Sequence, residues 1–559
     1  MKNLCKLNAI GLALTLVLAG CSSGGPGGGS DVTTDNSADN EQIANDDGAI
    51  VELQSPEVLA LGAVRSGFVA EGESQLFRVP SGSTVSLTSS SGDADLLLFS
   101  GEELTNENLL CNAGFFWQEE NCTATVPGAE MFALIFGRSA ATFNVSVSND
   151  CSVVAVNEWV YRNMQDYYLF ADNVPVVNPT SYESTSDLMR DLRFESVDPY
   201  SGVSDAVTQQ EFFESGGTFG FGFSWQFDAA GNPRIIRVYE DSPMGRAGIS
   251  RGDIIVGLND ELWVELTNER FFELIGDRDN PLTNTWRFID GVSGEPIAVP
   301  LVESEFTLNS VLFDDVYTNT SISGSVGYLV FDSFIEPSEA ELDAAFSRFV
   351  SAGVTELVLD LRYNSGGRTS IARRLASQIA GPELDGSLLV RYEYNDKYSA
   401  VNFNRLFEAA TPSLDLDRVV VLTTGRSASS SELVINSLKP YMEVVVIGES
   451  TNGKSFISRA KEYCGIALNA MEAQGVNANG VSVVDGIAAD CFAADDPAKD
   501  FLGSGGELEG MFSKAVDYLA FGTCDAQPVL AKRATATSEL SHIGELPYFG
   551  AVSDPVRVR

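Results

Sequence analysis

The stretch RVVVLTTGRSASSSELVINSLKPYMEVVVIGESTNGKSF, running from Arg418 to Phe456, constrains the fold of this chain more than any other. Val419 to Leu422 and Val444 to Ile447 are short Val-rich runs of the kind that fill parallel strands buried on both faces. Between them, Glu432 to Leu438 has the spacing of a short helix, with Val434 and Leu438 on one face and Pro440 as its stop. Two parallel neighbours need a crossover, and this segment is long enough to supply one. A cluster of hydroxyls (Ser427, Ser429, Ser430, Ser431) then falls where a strand runs into a helix N-terminus. Backbone N–H groups are unpaired there and the helix dipole favours negative charge. Serines at such a place serve as N-caps, or one of them is a nucleophile beside an oxyanion site.

The second loop, Gly448-Glu449-Ser450-Thr451-Asn452-Gly453-Lys454, follows the neighbouring strand, so both loops are expected to open on the same sheet edge. Lys454 is thereby brought toward the serines. The chain has one histidine, His542, in a polar tail. A Ser-His-Asp arrangement, which needs an imidazole beside the nucleophile, is thus improbable. A lysine lowered from its ordinary pKa of about 10.4 by burial can take the place of the imidazole.

SASSSE followed by GESTNGK resembles the carboxyl-terminal processing (tail-specific) proteases, which are Ser–Lys peptidases. The resemblance implies Ser429 as nucleophile and Lys454 as base, 25 residues apart as is usual in that family. Asp360-Leu361-Arg362-Tyr363-Asn364-Ser365-Gly366-Gly367 resembles the family's glycine loop. By that resemblance Gly366 or Gly367 supplies one oxyanion amide and Ser430 the other; paired glycines allow such close backbone approach. Better-known members carry a Gln four residues after the Lys; here Ser458 stands there and is the candidate to orient Lys454.

The remaining segments fit this frame. The 559 residues imply several domains, and 44% apolar with 20% charged residues is a globular composition. A net charge of −43 argues against nucleic-acid binding and suits cationic substrates or a saline setting. Residues 1–20 read as a signal peptide, its apolar stretch Ala9 to Ala19 too short to span a bilayer, that leads into Leu18-Ala19-Gly20-Cys21. This resembles a lipobox, with Cys21 lipidated; an ordinary signal peptide is the alternative. Ser22 after it suggests sorting to the outer membrane. Residues 21–50 form a Gly/Ser-rich, then acidic tether, reaching roughly 30 Å as a random coil.

Residues 51–149 alternate as an all-β sandwich, and Ser91 to Leu96 resembles the bacterial pre-peptidase C-terminal domain. Residues 150–216 look helical, with Trp159, Met164, Tyr167, Tyr168 and Leu169 as a packing stripe. Asp198-Pro199-Tyr200-Ser201 resembles a segment that precedes the PDZ module in the same proteases. Residues 217–303 resemble that PDZ domain through Gly220-Phe221-Gly222-Phe223 and Ser242-Pro243-Met244-Gly245-Arg246-Ala247-Gly248. The amides of Phe221, Gly222 and Phe223 would capture a peptide's terminal carboxylate. Residues 304–524 would be the crotonase-like (ClpP-type) α/β catalytic core, and 525–559 a tail of no assigned role.

The reading is a multidomain α/β exported serine endopeptidase acting on proteins or peptides, anchored by lipid in the cell envelope, with no cofactor, metal or nucleic-acid partner. The alternative is a non-catalytic lipoprotein that binds peptides through the PDZ groove. Setting aside Cys5 and Cys21 leaves six cysteines, an even number that suits an oxidising compartment and permits 15 pairings. The pairs expected are Cys111–Cys122, Cys464–Cys491 and Cys151–Cys524.

Overall fold

The computed structural model describes residues 56–524 apart from 82, 101–103, 105–108, 114–118, 125–130 and 149. The targeting segment, Cys21, the tether, His542 and the 525–559 tail lie outside the described residues. Among the described residues no helix is long and apolar enough to cross a membrane.

The core is a six-stranded sheet ordered Val311–Tyr317, Ser325–Phe331, Val354–Asp360, Arg418–Thr423, Glu443–Gly448 and Cys491–Phe492. The first pair is antiparallel and all the others are parallel. The Val-rich runs are strands because both faces are covered, so every side chain finds an apolar neighbour. On one face Leu329, Leu357, Leu359, Val419, Val421 and Val446 meet the helices Ser338–Ser351, Thr369–Ala380 and Ser430–Leu438. On the other, Val326, Tyr328, Val358, Val420, Leu422 and Ile447 meet the helix Gly510–Phe521. Alternate residues of each strand point to opposite layers. A second, antiparallel sheet (Phe403–Leu406, Leu388–Tyr394, Met471–Val476, Phe456–Ser458) adds Leu389, Tyr392 and Ala473 to the first layer.

Residues 56–148 form two sheets, of five and four strands, closing over Phe77, Leu96, Leu98, Ile135, Val85, Phe143 and Val145. The helices Val153–Asp166, Thr185–Leu192 and Ala206–Ser215 follow. The aromatic stripe is packing: Trp159, Met164 and Tyr168 are buried against Phe456, Leu468 and Met471 of the core. The strand Gly202–Asp205 pairs antiparallel with Ile466–Asn469, which joins the helical segment to the core. In the segment resembling a PDZ domain, strands Phe223–Phe227, Pro233–Val238, Ile254–Leu258, Asn284–Ile289 and Pro296–Leu301 form an antiparallel sheet around Phe223, Trp263 and Trp286.

Cys111 bonds Cys122 as expected, with Cα atoms 5.8 Å apart. The other two pairs are exchanged: Cys151 bonds Cys464 (Cα–Cα 5.5 Å) and Cys491 bonds Cys524 (5.6 Å). Cys464 sits at the turn of the hairpin Lys461–Tyr463/Ile466–Asn469, against which the helical segment begins. Cys491 lies on the edge strand beside Glu443–Gly448, and the helix Gly510–Phe521 crosses that sheet to bring Cys524 back to it. Number and spacing fixed only the parity of the set; tertiary packing chose the partners.

Candidate active site

The strand Arg418–Thr423 ends in a turn held to its neighbour: Ser427 Oγ donates to Leu361 O at 2.7 Å, and the Ala428 amide to Asn364 O at 3.1 Å. Ser429 follows with φ 55° and ψ −113°, a conformation costly for a residue with a Cβ, and the helix Ser430–Leu438 starts immediately after it. A sharp strand-to-helix turn presents the serine at the sheet edge instead of within the helix. The surroundings hold this strained residue in place. Its amide donates to Glu432 Oε2 at 2.9 Å, and the next two hydroxyls tie to the glycine loop, Ser430 Oγ to Gly367 O at 2.7 Å and Ser431 Oγ to Asn364 O at 2.9 Å.

Gly366 and Gly367 are required by closeness. A Cβ on Gly366 would stand 2.7 Å from Ser429 Cβ, and one on Gly367 2.2 Å from Phe334 O. The two loops predicted to share an oxyanion therefore lie against each other. The Gly366 amide, however, turns back to Asn364 Oδ1 at 2.8 Å. Ser430 is the first helical residue, whose N–H has no partner within the helix. Among the described residues no hydrogen bond uses the amides of Gly367 or Ser430.

Lys454 arrives on the loop after Glu443–Gly448, the parallel neighbour of the serine's strand. It is 7% exposed and shares one narrow cavity with Ser429, lined by Val390, Tyr392, Leu433, Phe456, Ile457 and Val483. Burial pulls its ammonium down to about 8, and the negative charges of Asp198 and Glu432 only partly offset this. The desolvation effect wins, and the amine is poised to lose a proton near neutral pH. Its Nζ lies over the Tyr200 ring, 5.7 Å from the centroid, and the Tyr200 hydroxyl donates to Asn452 Oδ1 in the same loop.

Ser458, the position taken to orient the lysine, does not do so. It lies at the far end of the strand Phe456–Ser458, away from the cavity lining, and its hydroxyl makes no hydrogen bond among the described residues. The polar surroundings of Lys454 come instead from the Asp198–Ser201 segment and from Glu432. Asp198 is fixed by Tyr168 Oη at 2.7 Å and by the Tyr200 and Ser201 amides at 2.9 and 2.8 Å. The sequence singled out this segment only as the run before the next module. Glu432 carried one signal, its position three residues after Ser429, the spacing of a capping box.

Phe221 and Phe223 are buried, their rings 4.8 and 5.5 Å from that of Trp286. Gly222 between them has φ 72° and leaves no room for a side chain against Ser242. The adjoining strand Phe223–Phe227 is the outer strand of its sheet. Among the described residues no group of three His, Cys, Asp or Glu side chains is placed to hold a metal.

Residues 325–491 match the model of Peptidase family S41, and residues 155–202 match the Peptidase S41 N-terminal domain. A "Probable CtpA-like serine protease" of Staphylococcus epidermidis is 24% identical over 314 residues, 55% of this chain and 58% of that protein. A "Carboxy-terminal-processing protease" of Bartonella bacilliformis is 26% identical over 270 residues, 47% of this chain and again 58% of the relative. The chain thus spans somewhat more than half the length of these relatives. A crystal structure described as an S41 protease of Bacteroides fragilis superposes with a TM-score of 0.53 at 24% identity, covering 65% of this chain and 97% of that one, which shows a shared fold. Two segments of the chain are thus similar to peptidase family S41, and the chain is similar over about half its length to CtpA-like and carboxy-terminal-processing proteases.

Proposed function

We propose that this chain is an exported serine endopeptidase that cleaves protein or peptide substrates with a Ser429–Lys454 dyad and no cofactor. The observation that carries the reading is Ser429, strained at a helix N-terminus, sharing one apolar cavity with a buried lysine whose pKa has fallen to about 8. Neutral Lys454 takes the Ser429 proton as Oγ attacks the peptide carbonyl, and returns it to the leaving amine. The Gly367 and Ser430 amides receive the oxyanion; the Gly366 amide is engaged by Asn364. We place the core in the crotonase-like (ClpP-type) class and the 217–303 module in the PDZ class.

Three disulfides among the described residues support an oxidising compartment, in keeping with lipidation at Cys21 and a cell-envelope location. The outer strand Phe223–Phe227, following the Phe221–Gly222 turn, supports recruitment of a substrate C-terminus by strand addition. Equal cleavage of free-acid and amidated peptides would rule that recruitment out. For the dyad, a fluorophosphonate probe should label the wild-type protein and spare Ser429→Ala. Labelling that persists in that variant sinks the assignment, and a folded wild-type protein that takes no label favours the non-catalytic peptide-binding alternative.

A further inference from the structure

Glu432 is 0% exposed and is engaged by four donors. Its Oε2 accepts the amides of Ser429 at 2.9 Å and Lys454 at 2.8 Å; its Oε1 accepts the Gly453 amide at 2.7 Å and Thr451 Oγ1 at 2.6 Å. A capping box would account for the first of these bonds only. The other three come from a loop 19 to 22 residues further along, after a different strand. One carboxylate oxygen therefore touches the backbone of both the serine and the lysine.

Resting on the Ser–Lys reading above, we infer that Glu432 is a positioning residue, a buried carboxylate that sets the separation of nucleophile and base by holding the amides of both. Two further bonds link the loops, Asn452 N to Ser427 O at 2.9 Å and Asn452 Nδ2 to Gly425 O at 3.1 Å, but they lie farther from the reacting side chains. A carboxylate is acceptor-only and can take several donors at once. A glutamine cannot take all four: whichever way its amide turns, the NH2 faces at least one backbone N–H, that of Gly453 on one side or those of Ser429 and Lys454 on the other. The carboxylate also acts on the lysine through its charge. The charged or titratable groups around Lys454 include Asp198, Glu432, Tyr200 and, in the same cavity, Tyr392, and both acids oppose the effect of burial.

The test is the rate at which a fluorophosphonate modifies Ser429 in the full chain, measured across pH, with thermal unfolding recorded alongside. In the wild type the rate should climb through about pH 8. Glu432→Gln should label about 100-fold more slowly, the cost of roughly 1 Å of misplacement. Its midpoint should move to lower pH, because removing an anion makes the ammonium less favoured. Glu432→Asp keeps the charge but is one methylene short, so the rate should fall while the midpoint stays. Val434→Ala, a buried change in the same helix, should lower the melting temperature and leave labelling of the folded protein unchanged. Should Glu432→Gln prove unable to fold, Thr451→Val removes a single donor and should slow labelling about tenfold. A folded Glu432→Gln with wild-type rate and midpoint, or a Thr451→Val with an unchanged rate, overturns the inference. Absence of label on the wild type brings down the Ser–Lys reading first, and a labelled wild type beside an indifferent Glu432→Gln brings down this inference alone.

Discussion

Two cations are buried near the same edge of the central sheet, and their environments drive them in opposite directions. Arg362, 1% exposed, lies at the start of the glycine loop. Its Nε meets Asp360 Oδ2 at 2.9 Å, Nη1 meets Asp495 Oδ1 at 2.8 Å and Nη2 meets Glu509 Oε2 at 3.0 Å. Burial pulls the guanidinium down, but Asp360, Glu509 and Asp495 outweigh it and hold the group well above its ordinary value. Arg251, from the module resembling a PDZ domain, joins the same cluster through Asp495 at 2.6 Å and the Tyr363 hydroxyl at 2.7 Å. For Lys454 the balance is reversed, since burial outweighs Asp198 and Glu432. Burial by itself therefore says nothing about the role of a cation. Arg362, surrounded by carboxylates, stays charged and fixes the loop; Lys454, less compensated, can give up its proton.

The largest effect expected is on turnover. Ser429→Ala and Lys454→Ala should each cut peptide hydrolysis by about 10⁴-fold or more, and the double variant should be no worse, because the two act as a unit. A double variant far slower than either single one would separate them.

Next come two stability changes of opposite sign, read from denaturant unfolding at pH 7. Arg362→Met strands three carboxylates and should destabilise by about 3–5 kcal/mol. Lys454→Met removes a buried ammonium that is costly when protonated and should stabilise by roughly 1–3 kcal/mol. The same sign for both would break the contrast. In the wild type the penalty is present in full below pH 8. It is relieved as pH rises from about 8 toward the ordinary 10.5, since over that window the unfolded chain binds the extra proton.

Activity should follow the same lysine, with kcat/KM rising through about pH 8. A profile flat from pH 6 to 10 would mean that Lys454 is not the titrating base. The smallest effects belong to the neighbouring hydroxyls. Ser430→Ala and Ser431→Ala each lose one bond to the glycine loop and should cost no more than about tenfold. Loss of all activity in Ser431→Ala would place the nucleophile at the wrong serine.

Local pattern was sufficient for the elements. The helix expected over 432–438 runs Ser430–Leu438, and the strand expected over 444–447 runs Glu443–Gly448, because apolar periodicity and the Pro440 stop are local properties. Bringing the serine and lysine loops to one sheet edge was likewise legible, since neighbouring parallel strands joined by a crossover must point the same way. What surrounds the lysine was not. Tyr200 and Asp198 reach it from more than 250 residues away in the chain, and Ser458, the nearer choice by position, is carried off along its own strand.

From sequence alone came the layered α/β core, the loop pair and the serine and lysine types, all of which depend on spacing and composition within a few tens of residues. Tertiary structure decided the partners of Cys151 and Cys491, the engagement of the Gly366 amide by Asn364, and the reach of Glu432 across two loops. Each of these depends on distances of a few ångströms between segments remote in the chain. Such distances are set by how whole elements pack, and no local run of residues encodes them.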